Sequence, residues 1–420
     1  MALPLTRTRL PMMCAVQRSL PRGEPVDIHT RMAAEWARLK LGDQVRDKHI
    51  ALGFGSRGVA EIATIAQELV TLVKMSGGHP FIVPAMGSHG GATPQGQIEV
   101  LNSLGITEEA VGCPIRATME TVVLGETENG VPVYTDRYAA EADGVIIVNR
   151  VKPHTDFHSE TESGLVKMLA IGLGKEDGAS TIHQRGVRGL IEDLPQVAAI
   201  VQRELKLICG FATVEDGYHR PVELKALAPE TLVEEEKALL KTAHALMPRL
   251  PVEDIDVLIV DWLGKDISGC GMDTNIIGRL RIDGLPEPES PRIKAIVVLD
   301  VTEASHGNAL GIGLAEFITQ RLFDKIDFPL MSKNVFTSGF LRRGYVPMVY
   351  PTAEEAVEAA IDHVYRANPQ QRDQARVVRI RDTMTLETTF VSENLGDEIR
   401  GKRDFIHMNN PQLLQFNDVS

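Results

Sequence analysis

Thiolate chemistry has little to work with in this chain: four cysteines, Cys14, Cys113, Cys209 and Cys270, are scattered through 420 residues with no CxxC pair. That scatter argues against a disulfide framework or a cysteine zinc site and suits a reducing compartment, the cytoplasm. Positive charge is also short. Forty-four Lys and Arg stand against 57 Asp and Glu, a formal charge of -13. Nucleic acid or an anionic membrane is therefore a poor main partner, and an anionic ligand has to be met by a local basic cluster. No run of 18 apolar residues occurs, and MALPLTRTRLPMMCAVQRSLPRGEP lacks an uninterrupted apolar core before a small-residue cleavage site. Neither a membrane span nor an export signal is expected. There is also no HExxH, no internal repeat and no low-complexity tract.

What remains is an ordinary globular composition, 43% hydrophobic and 24% charged, in a chain long enough for two or three domains. The stretch HIALGFGSRGVAEIATIAQELVTLVKMSGGHPFIVPAMGSHGG reads as strand, glycine turn, helix, glycine stop and strand. Apolar residues at 59, 62, 65, 66, 69, 70 and 73 give the helix its period near 3.6. A βαβ unit implies parallel strands, which places GSRG (55–58) and GSHGG (87–91) past strand carboxyl ends, where such sheets bind ligands. A third apolar strand, DGVIIVNRV (143–151), leads directly into VKPHTDFHSE. His154 then shares an edge with the other two loops if the three strands lie in one sheet. ESGLVKMLAIGLG has helical spacing, with Gly172, Gly174 and Gly178 expected to end it before STIHQRG (180–186).

The charged amphipathic segment APETLVEEEKALLKTAHALMPRLPVEDID separates this half from a second α/β pattern. The expected fold is α/β, two α/β domains with a ligand cleft between them. Residues 1–250 form the domain that carries the site, and residues 251–420 close the cleft, with the terminal segment available to pack back on the first domain. In the second half, 256–264 and 293–302 read as buried strands, and GNALGIGLAEFITQRLF and AEEAVEAAIDHVYRAN as helices.

Several residues could carry chemistry. Arg57, with Ser56 beside it, sits at a strand-to-helix junction, either as an anion clamp or as a solvated arginine in a glycine turn; neither GxGxxG nor GxxxxGKS/T is present there. His89 and His154 occupy equivalent post-strand loops and could exchange protons near neutral pH. Lys167 interrupts an apolar helical run, snorkelling or held for reactivity. His183 is a metal ligand or a helix cap. His158, four residues after His154, would pair with it on zinc only in a helix, which Pro153 opposes. Lys152 and Arg185 are candidate carboxylate partners or plain surface. His306 and Lys333, from the Gly-rich and polar second half, could also reach a ligand.

Taken in order, GSRG, GSHGG, VKPHTDF, SGLVK and STIH resemble the nickel-dependent lactate racemase family over roughly residues 45–190. The resemblance implies a nickel-pincer nucleotide, a pyridinium-3,5-bisthiocarboxylic acid mononucleotide carrying nickel, made by dedicated cofactor biosynthesis proteins. It implies His89 and His154 as paired acid/bases, Lys167 as the lysine that tethers or contacts the cofactor, His183 as the nickel ligand, and Arg57 at the cofactor phosphate. The implied activity is racemisation or epimerisation of a small-molecule 2-hydroxy acid, with hydride passing reversibly between the α-carbon and the cofactor. Two departures stand out: GFGS replaces an Asp/Thr-rich approach to the arginine, and the segment from His154 to Lys167 is longer and more acidic, with Asp156, Glu160 and Glu162. A hydroxy acid other than lactate, larger or sugar-derived, is at least as good a substrate. A zinc-dependent hydrolase built on the same histidines, with Glu160 or Glu162 as base, and a non-catalytic carrier of the cofactor or a metal are the competing readings.

Overall fold

A computed structural model of the chain describes residues 10–56 and 58–416. Strand β1 (Met12–Arg18) comes first, then β2 (His49–Phe54), β3 (His79–Pro84), the hairpin β4 (Thr121–Glu126) and β5 (Pro132–Asp136), β6 (Gly144–Arg150), β7 (Leu207–Glu215) and β8 (Pro221–Leu227). The second half adds β9 (Asp254–Leu263), β10 (Arg292–Val301), β11 (Phe317–Thr319), β12 (Met348–Tyr350), β13 (Val377–Ile380), β14 (Thr388–Ser392), β15 (Phe405–Met408) and β16 (Gln412–Leu413).

Pro21–Met247 form one compact unit. Its sheet runs β3-β2-β6-β7-β8, parallel except for the β7/β8 pair. Strands β2, β3 and β6 are nearly continuous apolar runs because both faces are covered. The helix Ile62–Met75 supplies part of that cover through Ile62, Ile65, Ala66, Leu69, Val70 and Val73, all buried. These pack with Leu52, Phe54, Ile82, Ile146, Val148 and Phe211 into one core.

The second unit takes residues from Pro248 onward together with those up to Leu20. Its sheet order is β12-β11-β10-β9-β13-β14-β1-β15, with β16 also on β1. The sequence reading assigned residues 1–250 to the first domain and let the terminal segment return to it. Instead β1 pairs antiparallel with β14, β15 and β16, so residues 10–20 belong to the second unit. Within it the helix Ala353–Tyr365 packs Val357 and Ala360 against Val257, Ile259, Val297 and Leu299.

The segment GNALGIGLAEFITQRLF is not one helix. Phe317 and Ile318 pair in parallel with Val297 and Val298 as strand β11, and only Gln320–Asp324 is α-helical. Its apolar residues suit either period, and an open sheet edge beside β10 decides for a strand. Likewise Gly178 does not end a helix but lies inside Lys175–His183.

Candidate active site

The parallel order β3-β2-β6 brings three loops to one edge. Phe54 stands opposite both Pro84 and Val148, so the chain leaves β2, β3 and β6 side by side, toward Ser56, His89 and His154. Arg57 lies outside the described residues. Of the amides leading into the helix Ile62–Met75, that of Ala60 donates to Glu215 Oε1 at 2.7 Å, which leaves less of that turn for an anion than the sequence suggested.

His89 is exposed, and its Nδ1 meets the Ser56 hydroxyl, joining the loops after β3 and β2. Its backbone is held from below by a buried polar network. Gln97 Nε2 donates to Gly87 O at 2.8 Å and His89 O at 3.3 Å, while Lys175 Nζ donates to Gln97 Oε1 at 2.5 Å and Pro84 O at 2.8 Å. Asp136 lies 3.4 Å from Lys175 Nζ, and both side chains are fully buried. Burial pulls Lys175 below the ordinary lysine range and pushes Asp136 above the ordinary carboxylate range, each partly offset by the other's charge. None of these three was singled out from sequence. The available signal was a lysine directly after a glycine-broken apolar helix.

His154 is buried at 7% exposure. Its loop is closed at the neck by Lys152 and Ser163, whose backbones exchange hydrogen bonds of 2.9 and 3.2 Å. Inside the loop Glu162 Oε2 accepts from His154 N–H at 2.5 Å. The Asp156 amide donates to His154 Nδ1 at 3.0 Å, and the other ring nitrogen is Nε2. That nitrogen faces Lys167 Nζ.

Lys167 and His183 lie on one bent helical rod: α-helical Leu165–Lys167, a π-helical turn Met168–Gly172, then α-helical Lys175–His183. Wide turns of this kind concentrate at functional sites. The rod is capped by a distant residue. Glu236, on the helix Leu232–Leu246, accepts from the amides of Leu165 at 2.6 Å and Val166 at 3.1 Å, while Asn149 Nδ2 donates to Gly164 O at 2.7 Å. A Cβ on Gly164 would stand 2.5 Å from Glu236 Cδ, so the carboxylate fits only against glycine. Full burial pushes the Glu236 carboxyl up to about 7 despite both amides. One residue beyond β2, a Cβ on Gly55 would stand 3.3 Å from Met168 Cε. Gly55 precedes Ser56 and Met168 follows Lys167, so this contact joins the Ser56–His89 pair to the His154–Lys167 pair.

His183 is half-buried, and its pKa is lowered to about 4, first by burial and then by the Lys167 charge, against a smaller opposing pull from Asp156. At neutral pH it is an uncharged imidazole with a lone pair to give. Arg185 binds Asp193, a fully buried carboxylate across the neighbouring π-helical turn Gly189–Asp193; its carboxylate partner in the structure is thus internal. Lys152 is half-buried at the loop neck. His306 and Lys333 belong to the second unit. A groove lined by Pro25, Arg31, Val222, Lys241 and Leu246 contains none of the predicted residues. Among the described residues, His158, Glu162 and His244 form a metal-capable group, whereas His89, His154 and His183 do not cluster into one. The zinc-hydrolase reading, which needs His89 and His154 as ligands, finds no such set.

Among the described residues no helix is long and apolar enough to cross a membrane. No curated protein matches the chain. Among solved structures, that of the lactate racemase apoprotein from Thermoanaerobacterium thermosaccharolyticum superposes with a TM-score of 0.55 over 88% of this chain and 94% of its own, at 10% sequence identity. That likeness supports the fold. The model of the lactate racemase N-terminal domain matches residues 27–189, which span Ser56, His89, His154, Lys167 and His183. Over this region, somewhat under half of its length, the chain is similar to the lactate racemase N-terminal domain.

Proposed function

We propose that the protein is a racemase or epimerase of a 2-hydroxy acid that works with a nickel-pincer nucleotide. The observation that carries the reading is the placement of His89 and His154 in two loops of one parallel sheet edge, each with a defined partner, beside a rod that bears Lys167 and His183. The donor set suits the cofactor: a neutral imidazole for nickel at His183, and a primary amine at Lys167. Ser56, Lys167 and His183 would hold the group, with Arg57 at its phosphate. When bound, the cofactor would supply the reversible oxidation of the substrate's α-carbon.

The remaining chemistry falls to side chains of the chain. Each ring would exchange the substrate hydroxyl proton, His89 with its Nδ1 held by Ser56. A base on either side of the carbon serves both enantiomers. Gln97, Lys175 and Asp136 hold the His89 backbone, and Glu162 holds that of His154, so neither base has to be ordered when substrate arrives. Lys152, at the neck of the His154 loop, would meet the substrate carboxylate. Four buried, unbridged cysteines agree with a cytoplasmic setting, where cofactor biosynthesis proteins would load the enzyme.

The test is nickel content and visible absorbance after mixing the protein with the nickel-pincer nucleotide, followed by chiral analysis of 2-hydroxy acids. His183→Ala should lose nickel. His89→Ala and His154→Ala should retain cofactor and lose turnover by about 100-fold or more; turnover surviving in either refutes the two-base scheme.

A further inference from the structure

We infer that His158, Glu162 and His244 form a second metal site, for a divalent ion of the zinc class, which fastens the loop of His154 to the helix Leu232–Leu246. The three ligand atoms lie within 4.8 Å of one another. His158 Nδ1 stands 3.2 Å from Glu162 Oε1, and His244 Nε2 stands 3.6 Å from the same oxygen. Around tetrahedral zinc, with bonds of about 2.0–2.1 Å, neighbouring ligand atoms are about 3.3 Å apart. Two of the three separations therefore match already, and drawing the imidazoles together supplies the third.

The burial pattern is that of an anchored acid with two adjustable partners. The Glu162 side chain is 1% exposed, whereas those of His158 and His244 are 43% and 45% exposed. Glu162 is fixed by the backbone of its own loop, accepting from His154 N–H at 2.5 Å and Ser159 N–H at 3.3 Å. Two imidazoles and a carboxylate make a first-row transition-metal set rather than a calcium or magnesium set, and the solvent side of the two rings leaves room for a water as fourth ligand. A buried carboxylate also calls for a compensating charge, which a divalent ion held between it and the two imidazoles would supply. Nearby, Glu160 pairs with Lys237 at 2.8 Å.

Such an ion has a consequence for the site. Glu162 binds the His154 amide through Oε2 and would meet the ion through Oε1, so one carboxylate connects the metal to the backbone of a proposed base. The site stands independently of the racemase reading, since none of its ligands is a residue that would hold the nickel cofactor.

Zinc titration of the full chain, stripped with a chelator, tests the inference, with zinc content after gel filtration as a second measure. His158→Gln, His244→Gln and the double variant are compared with His183→Ala, and circular dichroism checks that each is folded. The expected result is one zinc equivalent, kept in His183→Ala, weakened at least tenfold in each single variant and lost in the double. Zinc should also slow hydrogen exchange across residues 154–162 in the wild type and not in the double variant. Absence of zinc binding, or a full equivalent in the folded double variant, overturns the site. Loss of zinc in His183→Ala with retention in the double variant would assign the metal to the cofactor position and overturn it equally. Failure of the racemase test leaves each of these outcomes readable.

Discussion

Glu236→Gln isolates the cost of keeping an acid where Glu236 sits. The carboxyl is pushed from an ordinary 4.5 up to about 7 by burial. In the folded state it therefore holds a proton that the unfolded chain releases between those values. The folded form binds more protons over that interval, so stability falls as pH rises through it. The contribution is fully present below about 4.5 and gone above about 7. At 1.36 kcal/mol per unit the whole span is worth about 3 kcal/mol, of which about 2–3 kcal/mol falls between pH 5 and pH 8. Glutamine keeps an oxygen for the Leu165 and Val166 amides and does not titrate. Its NH2 group takes the place of Oε1, which has no hydrogen-bond partner, at a cost of about 1–3 kcal/mol that is the same at both pH values. The assay is urea unfolding at pH 5 and pH 8 followed by Trp36 emission, in a Trp262→Phe background so that the signal reports the unit containing Glu236. The variant should gain about 2–3 kcal/mol on the wild type in going from pH 5 to pH 8. Parallel pH dependence of the two proteins would refute the buried, titrating cap.

Lys175→Met strands Asp136 as a buried carboxylate and should cost about 3–5 kcal/mol in urea unfolding, with Asp136→Asn recovering part of it in the double variant; purely additive losses would show that the two do not act as a pair. The same Lys175→Met protein should show faster hydrogen exchange at Gly87–His89, because Gln97 loses the donor that orients it. Gly164→Ala pushes a methyl group against Glu236 Cδ and should destabilise by about 1–3 kcal/mol. If the proposed function holds it should also weaken retention of the nickel-pincer nucleotide, and unchanged stability would mean that the carboxylate moves aside freely.

The readable part of the fold was the part set by local pattern. The apolar positions of Ile62–Met75 recur at the helical period and all face one core, and β2, β3 and β6 are unbroken apolar runs that only a two-sided sheet can bury. Once those strands were seen, the positions of His89 and His154 past their ends followed from parallel topology. What the sequence concealed depends on partners far away in the chain. Glu236 looks like one more acid on a charged helix until the rod of Lys167 is packed on it. His158 was considered as a partner of His154 four residues away, whereas its neighbour in space is His244. The acidic residues after His154 look alike in sequence and separate in the fold: Asp156 beside the ring at 3.8 Å, Glu162 inside the loop, Glu160 outside on Lys237. The glycines near 172–178 looked like a stop, but the rod passes through them as a π-helical turn and a resumed α-helix.

The antiparallel pairing of β1 with β14 and β15 also bears on biosynthesis. Gln17 is the strand-pairing neighbour of Thr388 and His407, which the ribosome adds nearly 400 residues later. At about 5–20 residues per second, β1 waits roughly 20–80 s for its partners, while Pro21–Met247 can be completed and folded in the interval. For that time MMCAVQR is an open strand edge, the kind of segment that pairs with other chains. A cell that makes this protein quickly therefore has most reason to shield Met12–Arg18.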